Sequence, residues 1–322
     1  MEDDETGAER AVDGAPTVAV DLEQCQDTQL HNAACVGDIE ALRTLLQEER
    51  FQRRINEKTV WSSDCLPTSP LHIAATLGHA DCVALLIDFG AEKDLLDLRL
   101  QSPLLGATEN GHLNCVQVLL KAGANPNGNP DNCYSPVYHA TGVGRADILQ
   151  ELIRYGAEVD GDLQKAFGYT SSTLDMPLKA TPLYTSAAQH TLSCFRLLLQ
   201  AGANPDYNSW DPVCEAKLIR SSPICLLEEV LRDGCGKEFV QLLIDFGADL
   251  SLLHSEPISE EDSSKKLDPE ALQVFREAKC LPRTLSSLCR IAVRRAIGKR
   301  RLSSISSLPV PDRIIRFLLY EQ

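Results

Sequence analysis

Twelve cysteines, seven histidines and 46 carboxylates are the residues of this 322-residue chain that could ligate a metal, attack an electrophile or move a proton. A structural zinc site needs cysteine and histidine at short, fixed spacings, because four ligands must converge on one ion at about 2 Å. No two cysteines form a Cys-x-x-Cys pair, and no His/Cys group has ligand spacing, so no metal site is predicted. A phosphate-cradling glycine-rich loop, a Gly-x-Ser-x-Gly elbow and a paired acid and base at workable spacing are also missing from the sequence. It therefore assigns no catalytic residue and no cofactor, and the chain is not expected to be an enzyme. The cysteines are scattered along a long chain that opens MEDDETGAER, with acids where a secretory signal needs positive charge followed by an apolar run. Free thiols in a reducing compartment are expected. No window approaches 18 uninterrupted apolar residues, so no membrane span is predicted; the cytoplasm is the expected location, with the nucleus left open.

A repeat places these residues. Gly-Ala pairs fall at 90–91, 123–124, 156–157, 202–203 and 247–248; two steps are 33 residues, and two are longer by about a dozen. Before the pairs come Ser69-Pro70-Leu71-His72, Ser102-Pro103-Leu104-Leu105, Ser135-Pro136-Val137-Tyr138 and Thr181-Pro182-Leu183-Tyr184, with Ser222-Pro223-Ile224-Cys225 slightly early. Ser or Thr before Pro is a helix N-cap followed by a residue whose missing N–H costs nothing at the first helical position. Gly78-His79 and Gly111-His112 break the first helix from the second. Leu85-Leu86, Leu119-Leu120, Leu152-Ile153, Leu197-Leu198 and Leu242-Leu243 make the apolar stripe of the second helix, and the Gly of each Gly-Ala pair ends it in the left-handed conformation. Eight residues before each of those glycines stand Cys82, Cys115, Ile148, Cys194 and Phe239. Cysteine alternating with Ile and Phe at one equivalent site reads as a small buried hydrophobe rather than a nucleophile or redox switch.

Thr/Ser-Pro-Leu-His, then Gly-His, then a Leu-Leu run closed by Gly-Ala in a 33-residue unit resembles the ankyrin repeat. The resemblance implies an all-α repeat solenoid of helix-turn-helix-hairpin units, with His72 tying neighbouring repeats by hydrogen bonds. About six repeats are expected over residues 26–253, after an acidic, disordered stretch at 1–25. The first, from Leu30-His31-Asn32-Ala33-Ala34 to Leu45-Leu46, lacks the Ser-Pro opening and serves as a cap. Inserts are expected at 61–68, 161–180 and 207–221, and they hold both tryptophans, Trp61 and Trp210. Leu100 occupies a hairpin position where glycine is usual.

After a polar linker at 254–266 the pattern changes. Asp268-Pro269 opens a helix with Leu272, Phe275 and Ala278 on one face. A second helix carries an apolar stripe of Leu285, Leu288, Cys289, Ala292, Val293, Ala296 and Ile297, with Arg290, Arg294 and Arg295 on its other face. Leu308-Pro309-Val310-Pro311 precedes a last apolar helix with Ile314, Ile315, Phe317, Leu318 and Leu319. About fifty residues of this composition make a marginal core, so the tail should lean on a partner. Thr284-Leu285, Cys289 and Val293 at their spacing resemble an Elongin-binding box, and Leu308-Pro309-Val310-Pro311 resembles a cullin-selecting box. Together, at 267–322 and after an ankyrin array, they resemble the ankyrin repeat and SOCS box family. That resemblance implies docking to Elongin C, with Elongin B behind it, and to Cullin-5 with its RING protein. The chain would then be the substrate-recognition subunit of a ubiquitin ligase. Leu285 would be the anchor in an Elongin C pocket, Thr284, Cys289 and Val293 would share that contact, and residues 308–311 would face the cullin. Substrate would meet the concave surface of the array, with Asp97, Arg99, Tyr134 and Trp210 as candidate contacts.

Charge agrees with two jobs. The net charge is −15, yet from Lys265 onward 13 Lys/Arg face 5 Asp/Glu. An acidic body does not suit a nucleic-acid backbone, whose binding requires neutralised phosphates, so no nucleic-acid partner is predicted. Arg294-Arg295 and Lys299-Arg300-Arg301 read as solvated basic faces. The run Arg300-Arg301-Leu302-Ser303 also fits a basophilic kinase site. The competing reading of the whole is an ankyrin interaction scaffold whose tail is merely a cap.

Overall fold

A computed structural model describes residues 28–60, 67–129, 132, 135–160, 181–206, 225–252 and 267–321. The acidic N-terminal stretch, most of each expected insert, the linker, Trp61, Tyr134, Trp210 and Ser222-Pro223-Ile224 lie outside the described residues. Six helix pairs follow one another: α1 (Gln29–Val36) and α2 (Ile39–Leu46), α4 (Pro70–Leu77) and α5 (Ala80–Asp88), α6 (Pro103–Glu109) and α7 (Leu113–Lys121). Next come α8 (Pro136–Gly142) and α9 (Ala146–Arg154), α10 (Pro182–Ala188) and α11 (Leu192–Gln200), α12 (Leu226–Arg232) and α13 (Lys237–Asp245). A one-turn α3 (Glu49–Gln52) follows the first pair. The described residues contain no strand, only an isolated bridge between Thr59 and Thr68.

The Ser/Thr-Pro openings act as their chemistry dictates. Ser69, Ser102, Ser135 and Thr181 each accept the N–H three residues on, at 3.2 to 3.4 Å, with Pro in the first turn. The sixth pair departs from this. Its first helix starts at Leu226, with Cys225 at the cap position and no side chain bonded there. The stripe leucines other than Leu197, and the position shared by Cys82, Cys115, Ile148, Cys194 and Phe239, are buried in one continuous core, with Leu197 and Ile153 half-buried against it.

Hydrogen bonds between repeats hold the stack in register. The His72 ring spans Ser69 Oγ and the Gln101 carbonyl, both at 2.9 Å; the carbonyl can only accept, so Nε2 carries the proton and Nδ1 accepts from the serine. Burial lowers the pKa of this ring. His79, His112 and Arg145, at one equivalent position, reach back to the carbonyls of Cys35, Thr76 and Gly111. The imidazole of His112 lies where a Cβ on Gly78 would sit, so that glycine serves a close approach as well as its φ of +85°. A second ladder runs along the hairpins. Asn56, Asp94, Asn127, Asp160 and Asp206 each accept a backbone N–H of the next repeat, from Glu92, Asn125, Glu158, Asn204 and Asp249, at 2.7 to 3.0 Å. The Asn or Asp four residues after each of the first four Gly-Ala glycines was a signal available in the sequence.

Burial also governs the thiols, raising Cys115 and Cys235 to about 11. In the native protein at pH 7.5, alkylation followed by peptide mass mapping should modify the exposed Cys280 and Cys289 and spare Cys82, Cys115, Cys194 and Cys235 until the chain unfolds. Modification of Cys115 at the rate of Cys289 would contradict its place in the core.

Leu100 keeps the hairpin shape that glycine would give. Its φ is +60°, its side chain is exposed, and the turn is tied by two N–H groups, of Arg99 and Gln101, on Asp97 Oδ1 at 2.8 Å. A left-handed leucine costs about 1 kcal/mol that glycine does not incur. Leu100→Gly should therefore raise stability by about 0.5 kcal/mol after glycine's greater unfolded-state freedom is subtracted, measured as the midpoint of denaturant unfolding.

The tail forms α14 (Pro269–Cys280), α15 (Leu285–Ile297), a 3-10 segment (Lys299–Ser307) and α16 (Asp312–Leu319). Asp268 caps α14, accepting the Glu270 N–H at 3.0 Å with Pro269 in the first turn. Ala271 and Phe275 join the core of the array, so α14 packs as its last layer against α13. A second, small core forms around Leu302, Ile305 and Leu318, with Ile297, Leu308 and Ile315 at its edge.

Candidate functional site

Helix α15 has two faces, and they are used in the opposite sense to the one its sequence suggests. Thr284 caps it, accepting the Ser287 N–H at 3.3 Å. The apolar stripe then faces outward. Leu285 is 77% exposed and Val293 41%, and Leu288, Cys289, Ala292 and Ala296 are exposed beside them. Leu281, four residues before the helix, is exposed as well. Only Ile297 of the expected stripe turns toward a core, at the edge of the small cluster.

The arginine face is the one turned inward. Arg294 and Arg290, expected to be solvated, turn to the array and the last helix, Arg294 buried and Arg290 half-buried, while Arg295 stays exposed. Arg294 is 7% exposed and donates to the carbonyls of Leu318 at 2.9 Å, Leu199 at 3.2 Å and Gln200 at 2.6 Å. These carbonyls end α16 and α11. The last carbonyls of a helix lack intrahelical partners and carry the negative end of its dipole, so one guanidinium answers two helix ends. Burial lowers the pKa of Arg294, but an arginine starts so high that it stays charged. Its plane lies 5.3 Å from the Phe246 ring centroid and 5.5 Å from that of Tyr320, and those two rings stack at 3.8 Å. Arg290 lies over Phe317 and Tyr320 at 4.0 and 4.2 Å.

Around this centre the tail is tied down repeatedly. Tyr320 Oη donates to the Asp245 carbonyl at 2.6 Å, Gln200 to Leu319 at 3.0 Å, and Arg283 to Ala248. Arg295, although exposed, donates to the Gly247 carbonyl at 3.4 Å. Lys299 pairs with Asp160, whose other oxygen belongs to the hairpin ladder. Leu302 lies over Gly202 and Ile291 over Gly247, both glycines of the Gly-Ala pairs, and a Cβ on Gly202 would collide with Leu302. The partner the tail leans on is thus the array itself, on one side only. No feature of the sequence pattern marked Arg294 apart from its neighbours.

The remaining candidate residues are distributed more widely. Leu308 is half-buried at the edge of the small core, while Pro309, Val310 and Pro311 are exposed between the 3-10 segment and α16. On the array, the Asp97 carboxylate is spent on its own turn and Arg99 is exposed at the tip. Tyr134 and Trp210 lie outside the described residues. The surface of the first helices carries polar and aromatic groups the sequence reading passed over, including Glu109, Tyr138, His139 and Tyr184. Among the described residues no group of His, Cys, Asp and Glu is placed to hold a metal ion, and no helix is long and apolar enough to cross a membrane.

Comparison with known proteins gives the same two parts. A family model of ankyrin repeats (3 copies) matches residues 30–130, and one of the SOCS box matches residues 281–319. Over 307 residues the chain is 60% identical to Ankyrin repeat and SOCS box protein 1 of Mus musculus and of Homo sapiens, covering 93% of this chain and 90% of each relative. It is 46% identical over 293 residues to Ankyrin repeat and SOCS box protein 12 of Homo sapiens, covering 91% of this chain and 90% of that one. Among solved structures, the ankyrin repeat domain of human ASB11 aligns with a TM-score of 0.53 at 23% identity, over 79% of this chain and 99% of that one. The ankyrin repeat domain of Bcl-3 aligns with a TM-score of 0.56 at 23% identity, over 78% and 98%. These last two likenesses concern the fold alone.

Proposed function

We propose that this chain, which belongs to the ankyrin repeat and SOCS box protein family, serves as a substrate receptor of a ubiquitin ligase and docks to Elongin C, Elongin B and Cullin-5 with its RING protein. The observation that carries this reading is the outward stripe of α15. Large apolar side chains left in water on a helix whose opposite face packs on the array are a surface built for a partner. Leu285 is the anchor in an apolar pocket of Elongin C, Cys289 and Val293 extend the contact by successive turns, and Thr284 fixes the start of the helix. Residues 308–311 face the cullin. Two prolines hold that segment extended, with few conformations to lose on binding. The chain does no chemistry of its own; it holds a protein target within reach of a ubiquitin-loaded conjugating enzyme.

The substrate surface lies along the inner helices and hairpin tips of the array, and the acidic balance of the chain favours a basic partner. A scaffold whose tail is merely a cap has one observation in its favour, the close packing of the arginine face on the array. That packing does not account for the exposed leucines on the other side. Co-expression with Elongin B and C, followed by affinity purification and size exclusion, separates the two. A stoichiometric ternary complex is the expected result; a well-behaved chain eluting alone would leave the scaffold.

A further inference from the structure

The run Arg300-Arg301-Leu302-Ser303 places arginines two and three residues before a serine, and neither the docking stripe nor the array gives it a task. Ser303 is exposed and lines a cleft of about 550 Å³ between tail and array, whose far wall includes Glu158, Asp160 and Ala201. Its neighbour Leu302 is buried over Gly202. Lys299, on the tail side of the same cleft, crosses it to pair with Asp160. Among the described side chains, the segment that carries Ser303 meets the array through Leu302 and the Lys299–Asp160 ion pair, and two carboxylates stand on the opposite wall.

We propose that Ser303 is a phosphorylation site for a basophilic serine kinase, and that the phosphate acts as a wedge between the tail and the array. The serine Oγ attacks the γ-phosphorus of ATP. The new O–P bond forms as the bond from that phosphorus to the bridging oxygen breaks, ADP leaves, and the hydroxyl proton passes to the kinase's base. The product carries about −1.5 to −2 charges at pH 7, set beside Glu158 and Asp160 with Lys299 as the cation lining the cleft. A kinase reads its target as an extended chain, so it reaches Ser303 while the 3-10 segment is undocked. The phosphate then opposes redocking by like-charge repulsion, and modification shifts the population toward the open form. Leu308-Pro309-Val310-Pro311 follows directly on this segment, whereas the Leu285 stripe lies on the outward face of α15. Phosphate should thus disturb the cullin-facing segment and leave Elongin docking intact. That consequence rests on the ligase reading; the opening of the cleft does not.

The test uses the full chain, alone and co-purified with Elongin B and C, treated with ATP and a basophilic serine kinase, with Ser303→Ala treated alongside. The expected result is phosphate on Ser303, with amide exchange in residues 299–308 raised about threefold or more over the unmodified chain. Glu158→Gln should reduce that rise, and Cullin-5 affinity of the phosphorylated complex should fall about tenfold. Phosphate absent from Ser303, phosphate present with exchange unchanged, or an equal rise in Ser303→Ala would each overturn the proposal. If exchange rises as expected while even the unmodified complex fails to bind Cullin-5, the phosphosite stands and the ligase reading fails.

Discussion

Replacing Arg294 with alanine should free the tail from the array while the array itself stays folded. The side chain supplies three hydrogen bonds from a charged donor to carbonyls that have no other cation bonded to them. Each such bond contributes about 1.5 to 3 kcal/mol, and the Leu318 and Gln200 carbonyls left behind would pay their desolvation unrewarded, whereas Leu199 keeps the Gly202 N–H at 3.1 Å. Against this stands relief from burying a guanidinium without a carboxylate partner. The balance is a loss of about 3 kcal/mol, roughly a hundredfold in the docking equilibrium. Hydrogen exchange reads it directly: amides of 285–319 should lose protection while those of α4 to α9 keep theirs. Arg294→Met should lose less, since it retains packing against Phe246 and Tyr320 and removes the buried charge. Unchanged protection in 285–319 for Arg294→Ala would mean that apolar packing at Leu302 and Ile291 suffices without the arginine.

Leu285→Asp should abolish co-purification with Elongin C and leave the chain as stable as before. At 77% exposure the side chain contributes almost nothing to the fold, and aspartate is well tolerated in the first turn of a helix, where it favours the dipole. In a pocket, by contrast, a buried leucine contributes about 1.5 to 3 kcal/mol, and an unpaired carboxylate adds a desolvation penalty on top. Together these exceed a hundredfold in affinity by about 1 kcal/mol or more. The measurement is a pull-down alongside a thermal melt of the two proteins. Loss of binding with an unchanged melt supports the docking surface; retained binding would move the Elongin contact elsewhere on the tail.

The two substitutions sit on opposite faces of one helix, and the difference between them shows where the sequence stops being informative. The stripe from Leu285 to Val293 is plain in the periodicity, and so is the arginine row behind it. Periodicity alone says that an apolar face is inward and a charged face outward. Here α15 is inverted, because its underside meets two helix ends and two aromatic rings, one of each from the array and one of each from the end of the tail, which suit a guanidinium better than a leucine. Nothing local to residues 285–297 records those groups; they come from the ends of α11, α13 and α16, up to 95 residues away in the chain. The same holds for Gly202 and Gly247. Their left-handed φ follows from the repeat, but that their bare Cα atoms also admit Leu302 and Ile291 follows only from where the tail lands.

By itself the sequence determined the repeat and everything within one repeat: the Ser/Thr-Pro caps, the leucine stripes, the Gly-Ala ends, the burial of the cysteines that alternate with Ile and Phe, and the His72 bridge. Each is a contact within one 33-residue unit or with its neighbour, repeated often enough for period and chemistry to reinforce each other. The tertiary structure alone decided which face of α15 is free, that α14 closes the core of the array, and that one aspartate of the hairpin ladder, Asp160, is shared with Lys299. These depend on a single meeting of distant segments. A meeting that happens once leaves no period to read, and its energy comes from carbonyls and ring faces that no residue type announces.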